Sequence, residues 1–191
     1  GCAHRPPLVR AQAAPFRFAA DTFAFPNETA WEYDVDETSG RTGWRAREPT
    51  PDFVLRCGNM ASAARQFHLQ ARFVPDAPRG DDATYAELMR AVVARDARRT
   101  TPAPDPVVIP GYPDLRTFSA AHEAAMKVAL QGPWQSYLQR GNWRMIFPFT
   151  IAHQRQEAEA MAAAVRAGLT PIVHIVVFPA LTLNHVLLVY A

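Results

Sequence analysis

Arg56-Cys57-Gly58-Asn59-Met60-Ala61-Ser62-Ala63-Ala64-Arg65-Gln66-Phe67 is the stretch from which the fold can be read. Met60, Ala63, Ala64, Phe67 and Ala71 recur at spacings of three and four, which predicts a helix with one buried face and Cys57 at its start. The helix is expected to run to about Phe73 and to stop near Pro75. Phe53-Val54-Leu55, just before it, brings the chain in from an extended segment. A thiol at a helix N-terminus meets unpaired backbone N–H groups and the positive end of the helix dipole, and both favour the thiolate. Gly58 lets other backbone, or a substrate, come close to the sulfur. The bland reading is a small buried cysteine packed like an alanine. What weighs against it lies at the far end of the chain.

The chain has 191 residues, enough for one well-buried core. It is 49% hydrophobic and 20% charged, the balance of an ordinary globular domain. The net charge of +2 is too small to argue for nucleic acid. Lys127 is the only lysine, and the arginines are scattered without a basic run or interleaved aromatics, so no nucleic-acid partner is expected. With only Cys2 and Cys57, no C-x-x-C and no H-E-x-x-H, no metal or other cofactor is expected. No apolar run approaches the roughly 20 residues of a membrane span.

Residues 1–15 are expected to form a flexible tether, with Pro6, Pro7 and Pro15. Gly1-Cys2-Ala3-His4 resembles the end of a bacterial lipoprotein signal, in which a small residue precedes the cysteine that is lipidated. That resemblance implies lipidation at Cys2, a bacterial cell envelope location, and membrane contact through the lipid anchor only. The chain starts at glycine and ends at Val189-Tyr190-Ala191 in what reads as a strand, so it is expected to be a fragment.

Residues 16–191 read as a single domain. Residues 30–47 predict a hairpin around the turn signal Asp36-Glu37-Thr38-Ser39-Gly40. Glu32, Asp34, Asp36 and Glu37 read as a solvated acidic cluster, and the sequon Asn27-Glu28-Thr29 carries no weight. Tyr85, Leu88, Met89, Val92 and Val93 predict a second amphipathic helix over 83–95. Residues 100–113, with five prolines around Val107-Val108-Ile109, read as an ordered loop or linker. Asp114 caps a third helix with Phe118, Ala121, Ala125, Val128 and Ala129 inward, ended by Gly132-Pro133. Residues 134–143 read as a packed helix and turn, and Trp143 to Phe149 as a short strand. A helix over 153–167 closes at Gly168. Two β-rich runs follow, 172–178 and 181–190, around Pro179-Ala180. Helices first and strands last predict an α+β fold, with the Cys57 helix packed on an antiparallel sheet.

A cysteine nucleophile needs a base, a group that orients the base, and donors for the oxyanion. His185, in Thr182-Leu183-Asn184-His185-Val186-Leu187-Leu188-Val189-Tyr190, is the candidate base. A histidine entering an apolar strand needs polar partners for its ring nitrogens. The order of helix-borne cysteine and later strand-borne histidine, with Cys57-Gly58 opening a helix and Asn184-His185-Val186-Leu187-Leu188-Val189-Tyr190 as the histidine strand, resembles the papain-like cysteine peptidases. Residues 172–190 are most similar to the C39-like peptidases, where an apolar strand precedes such a histidine strand. The resemblance implies a papain-like fold, Cys57 as nucleophile, His185 as general base, and a peptide or protein substrate. Papain-like enzymes carry a glutamine shortly before the cysteine as an oxyanion donor. Residues 51–56 contain none, which leaves the Cys57 N–H and Asn59 as substitutes.

Of the other histidines, His174 would stand opposite His185 if Pro179-Ala180 made a two-residue turn. Proline disfavours the tight primed turns there, so the loop is expected to be wider. A Cys57/His174/His185 metal site is weaker than a hydrogen-bonded His174 in the core or on the sheet surface. His68 is three turns along the helix from Cys57, too far to share a site, and His122 and His153 read as helix-surface residues. The leading expectation is a thiol-dependent hydrolase of the envelope. The alternative is a non-catalytic envelope lipoprotein that uses the same fold to bind a partner, and a redox or metal role for Cys57 comes third.

Overall fold

The computed structural model describes residues 14–130, 149–177 and 183–191. Helix α1 (Phe18–Asp21) precedes an antiparallel hairpin of β1 (Trp31–Val35) and β2 (Thr42–Ala46). Helix α2 (Cys57–Gln70) runs directly into β3 (Ala71–Val74). Helix α3 (Asp82–Val93) then leads to β4 (Val107–Pro110), which pairs with β3 in parallel. Helices α4 (Leu115–Ala121), α5 (Glu123–Ala129) and α6 (Ile151–Arg166) follow. The chain closes with the antiparallel pair β5 (Ile172–Val176) and β6 (Asn184–Leu188). The described residues therefore make an α+β fold with three two-stranded sheets. Cys2 and its tether up to residue 13, residues 134–143, residues 143–148 of the strand expected over 143–149, and Pro179-Ala180 lie outside the described residues.

Helix α2 carries the packing. Ten of its fourteen residues are buried, so it is covered on two faces rather than the single face that the apolar spacing predicts. Ala63, Ala64 and Phe67 enter the main core with Tyr85, Met89 and Val92 of α3, Ile109 of β4, Phe118 of α4 and Met126 of α5. Burying a phenylalanine such as Phe67 contributes about 1.5–3 kcal/mol. Cys57 and Ala61, one turn apart, form a second cluster with Val186 of β6, flanked by Ile172 and Leu188. The helix that carries Cys57 thus packs on the antiparallel pair that carries His185, as expected.

Burial on two faces also buries polar side chains, and each donates to backbone. Gln66 Nε2 donates to the carbonyls of Val93 (3.1 Å) and Arg95 (2.6 Å), and Gln70 Nε2 to that of Asp96 (2.9 Å). These bonds tie α2 to the exit of α3, since an unpaired buried donor would cost about 1–3 kcal/mol.

Several boundaries differ from expectation. Helix α2 ends at Gln70, because Ala71 is extended (φ −114°, ψ 156°) and residues 71–74 pair with β4. Residues 107–110 are therefore a strand and not part of an ordered loop or linker, with Ile109 fully buried. The helix capped by Asp114, whose carboxylate accepts from Thr117 N–H at 2.8 Å, breaks at His122 into α4 and α5. The break turns Met126 and Ala129 inward and leaves Val128 81% exposed. Helix α6 closes as expected at Gly168 (φ +73°), with Leu169 N–H donating to Ala164 O, and starts at Ile151, two residues before the expected His153, where Thr150 caps it.

His122 is not the surface residue that the sequence suggests. Its ring packs against Tyr85, Tyr112 and Phe118. Asp82 Oδ1 is 3.6 Å from Nδ1, which favours the proton there, and Tyr112 then donates its hydroxyl to Nε2 at 2.9 Å. Burial pushes the His122 pKa down, the Asp82 carboxylate opposes this, and Arg79 adds to the depression. The unfolded imidazole takes up its proton near pH 6.5, before the folded one does. His122 therefore destabilises the fold progressively as pH falls below about 6.5 and through the folded value. Denaturation between pH 7.5 and 5 should show stability falling on acidification, with a shallower fall in His122→Gln; equal slopes would contradict this.

Candidate active site

Three distant segments meet at the start of α2. The chain enters the helix through Phe53, which is buried, and Val54, which bridges to Glu28 in parallel. Glu28 N–H donates to Phe53 O at 3.1 Å, and Asn27 Oδ1 accepts from Arg56 N–H at 2.8 Å. Residues 27–28 are thereby laced to 53–56 immediately before the cysteine. Between these ties Leu55 takes the left-handed conformation, φ +58°, which a side chain of this size adopts at a cost of about 1–2 kcal/mol.

Cys57 is a free thiol, 9% exposed, at the first position of α2. A cavity of about 180 Å³ opens beside it, lined by Asn27, Glu28, Thr29, Ala30, Trp31 and Tyr33 on one side and by Asn184 and His185 on the other, with Leu55 and Cys57 between. The two residues singled out by sequence therefore line one cavity. Among the described residues no hydrogen bond joins them. No side chain caps α2 either, so the N–H groups of its first turn face the thiol end of the helix.

The β5–β6 register decides which residues share a face. Val186 stands opposite His174, and His185 opposite Ile175. His174, Asn184 and Val186 therefore lie on the face packed against α2, while alternation puts His185 on the other, with Leu187 and Ile175. His174 and His185 are not cross-strand partners, as a two-residue turn would have made them, and no Cys57/His174/His185 cluster forms. His174 is instead hydrogen-bonded to Asn184: its Nε2–H donates to Asn184 Oδ1 at 2.8 Å. His68 belongs elsewhere too, 3.5 Å from the Asp21 carboxylate and stacked edge-on with Phe16. Burial alone would raise the Asp21 pKa; the bonds from His68 and from Arg17 N–H outweigh it and hold the carboxyl below its ordinary value. His153 is on the helix surface, as expected.

Asn59 does not serve as a substitute oxyanion donor. It is buried, and its Nδ2 donates to Leu130 O at 2.6 Å, which fixes α2 to the end of α5. The sequence missed the aromatic wall and Asn27. Tyr33 pairs with Trp44 across β1–β2, and Trp31 stacks edge-on with Trp44 at 4.6 Å, on the same hairpin face as Val35. The alternation of Trp31, Tyr33 and Val35 was visible; that this face borders Cys57 depends on the 27–56 pairing, which no local pattern announces. The acidic cluster beside it is exposed, with Glu32 paired to Arg45 at 2.6 Å.

A family described as a domain of unknown function (DUF8321) matches residues 57–129, under half of the chain, from the start of α2 to the end of α5. The match begins at Cys57 and omits both the aromatic hairpin and β5–β6. No curated protein and no solved structure matches the chain.

If the φ of Leu55 stores strain, Leu55→Gly should relieve it. Leu55 is 47% exposed, so little packing is lost. Offset against the greater freedom of glycine in the unfolded chain, the net gain is up to about 1 kcal/mol. A thermal scan should show an equal or higher Tm, and a loss above about 1 kcal/mol would place Leu55 in an ordinary conformation.

Proposed function

We propose that the chain is a papain-like, C39-like thiol hydrolase of peptide or amide bonds, with Cys57 as nucleophile and His185 as general base. The observation that carries this reading is the cavity shared by Cys57, at a helix N-terminus, and His185, at the start of a strand. The helix start supplies unpaired N–H groups that stabilise a thiolate. His185 takes the thiol proton, and the thiolate attacks the carbonyl carbon. The amine then leaves with that proton, and water, deprotonated by His185, hydrolyses the thioester. The aromatic wall of Trp31 and Tyr33 gives apolar parts of a peptide a surface beside the thiol.

The envelope assignment rests on Gly1-Cys2-Ala3-His4, with a lipid on Cys2 as the membrane tie. No described helix is long and apolar enough to cross a membrane, which is compatible with such an anchor. Intact mass of protein from the native host should show a diacyl or triacyl adduct mapping to Cys2; an unmodified Cys2 would remove the anchor.

A second reading is a binding protein without catalysis. It is favoured by the burial of Cys57, by the lack of a hydrogen bond to His185, and by the strand face on which His185 sits. Alkylation by iodoacetamide in a Cys2→Ser background separates the two. A catalytic thiol should react at neutral pH about tenfold or more faster than N-acetylcysteine, and His185→Ala should abolish that advantage. A thiol that reacts slowly and indifferently to His185 would favour the binding reading.

A further inference from the structure

We infer that Asn27 is the side-chain donor of the oxyanion hole, paired with the backbone N–H of Cys57. The inference rests on the hydrolase reading above and names a catalytic residue that the sequence resemblance leaves vacant. Residues 51–56 hold no glutamine, and Asn59 is committed to Leu130 O. Asn27, 30 positions before Cys57, lines the cavity beside the thiol.

Three observations fix its orientation. The partner of its side chain is a backbone donor, Arg56 N–H at 2.8 Å, so the amide oxygen must face Arg56 and the NH₂ group must face away. No hydrogen bond among the described residues engages that NH₂. Asn27 also lines the cavity with Cys57, the residue that follows Arg56. The backbone beneath it is held by the bridge of Glu28 to Val54 and by Glu28 N–H on Phe53 O, so the donor is preorganised. Asn184 also lines the cavity with its oxygen occupied, but it is anchored to His174 on the neighbouring strand and not to the backbone beside the thiol.

In the step concerned, the Cys57 thiolate forms a bond to the carbonyl carbon and the carbonyl π electrons move to oxygen. The resulting oxyanion accepts from Cys57 N–H and Asn27 Nδ2–H. Its collapse re-forms the carbonyl and expels the leaving group with its bonding pair.

The test uses two reagents on the full chain in a Cys2→Ser background. p-Nitrophenyl acetate acylates the thiolate through an oxyanion and releases p-nitrophenolate without needing a proton. Iodoacetamide alkylates the same thiolate by displacement at carbon, with no oxyanion. The ratio of the two rates, taken above the thiol titration, isolates oxyanion stabilisation from thiolate supply. The ratio should exceed that of N-acetylcysteine by more than about a hundredfold and fall by about a hundredfold in Asn27→Asp, the remainder resting on Cys57 N–H. Asn27→Asp keeps the oxygen that Arg56 N–H needs, so it retains the loop tie; Asn27→Ala, with folding checked by its thermal transition, should show the same loss. A wild-type ratio equal to that of the free thiol, an unchanged ratio in Asn27→Asp, or a loss produced by Asn184→Ala instead would overturn the assignment. Failure of His185 as base would appear separately, as an alkylation rate that His185→Ala leaves unchanged, with this ratio intact.

Discussion

The burial of α2 on two faces is the constraint on which the rest of the structure depends. One face, through Ala63, Ala64 and Phe67, closes the main core; the other, through Cys57 and Ala61, receives Val186. Small residues make this possible, since cysteine and alanine one turn apart let a strand come close to the helix backbone. A larger side chain at Ala61 would push β6 outward and widen the gap between the thiol and the strand that carries His185. Close-packed interiors do not absorb such changes without strain. The same double burial forces Asn59, Gln66 and Gln70 into the interior, where their donors are used to fix α2 to the ends of α3 and α5. The helix is therefore held by polar ties as well as by packing, and the position of Cys57 follows from both.

The candidate site is a meeting of segments and not a property of any one of them. Residues 27–33 bring an amide and an aromatic wall, residues 55–57 a strained entry and a thiol, and residues 184–185 an amide and an imidazole. The lacing of 27–28 to 53–56 is what joins the first two. Backbone strain at Leu55 sits where the chain must turn sharply to enter the helix, and such strain persists only where surrounding contacts over-determine it. The Asn27–Arg56 bond and the Glu28–Val54 bridge provide that over-determination.

Much of the frame was legible in the sequence because it is local. Cys57 opens a helix, Asp114 caps one, Gly168 ends one, and residues 30–47 form a hairpin, each with a short-range signal that the structure repeats. What escaped was non-local. Residues 71–73 read as helical by apolar spacing, but parallel pairing of 71–74 with 107–110 makes them a strand, and that pairing also brings part of a proline-rich loop or linker into the core. The His122 break was hidden because alanine-rich helical spacing continues across it. At the site, Cys57 and His185 could be named by residue type and order. Asn27 could not, because the role proposed for it depends on a hydrogen bond to a residue 29 positions away. For the proposed oxyanion donor the one usable clue was negative: residues 51–56 hold no glutamine. The register of β5–β6, which separates His174 from His185, was undetermined because it hangs on the length of the intervening loop.

The central claim is that Cys57 and His185 share one cavity as a reactive pair, and cross-linking tests it most directly. 1,3-Dibromoacetone first alkylates a thiol and then bridges it to an imidazole only if one lies within the span of its three-carbon chain. Peptide mapping of the treated Cys2→Ser protein should find a single bridge, between Cys57 and His185. A bridge from Cys57 to His174, or a singly alkylated Cys57 with both histidines untouched, would contradict the account.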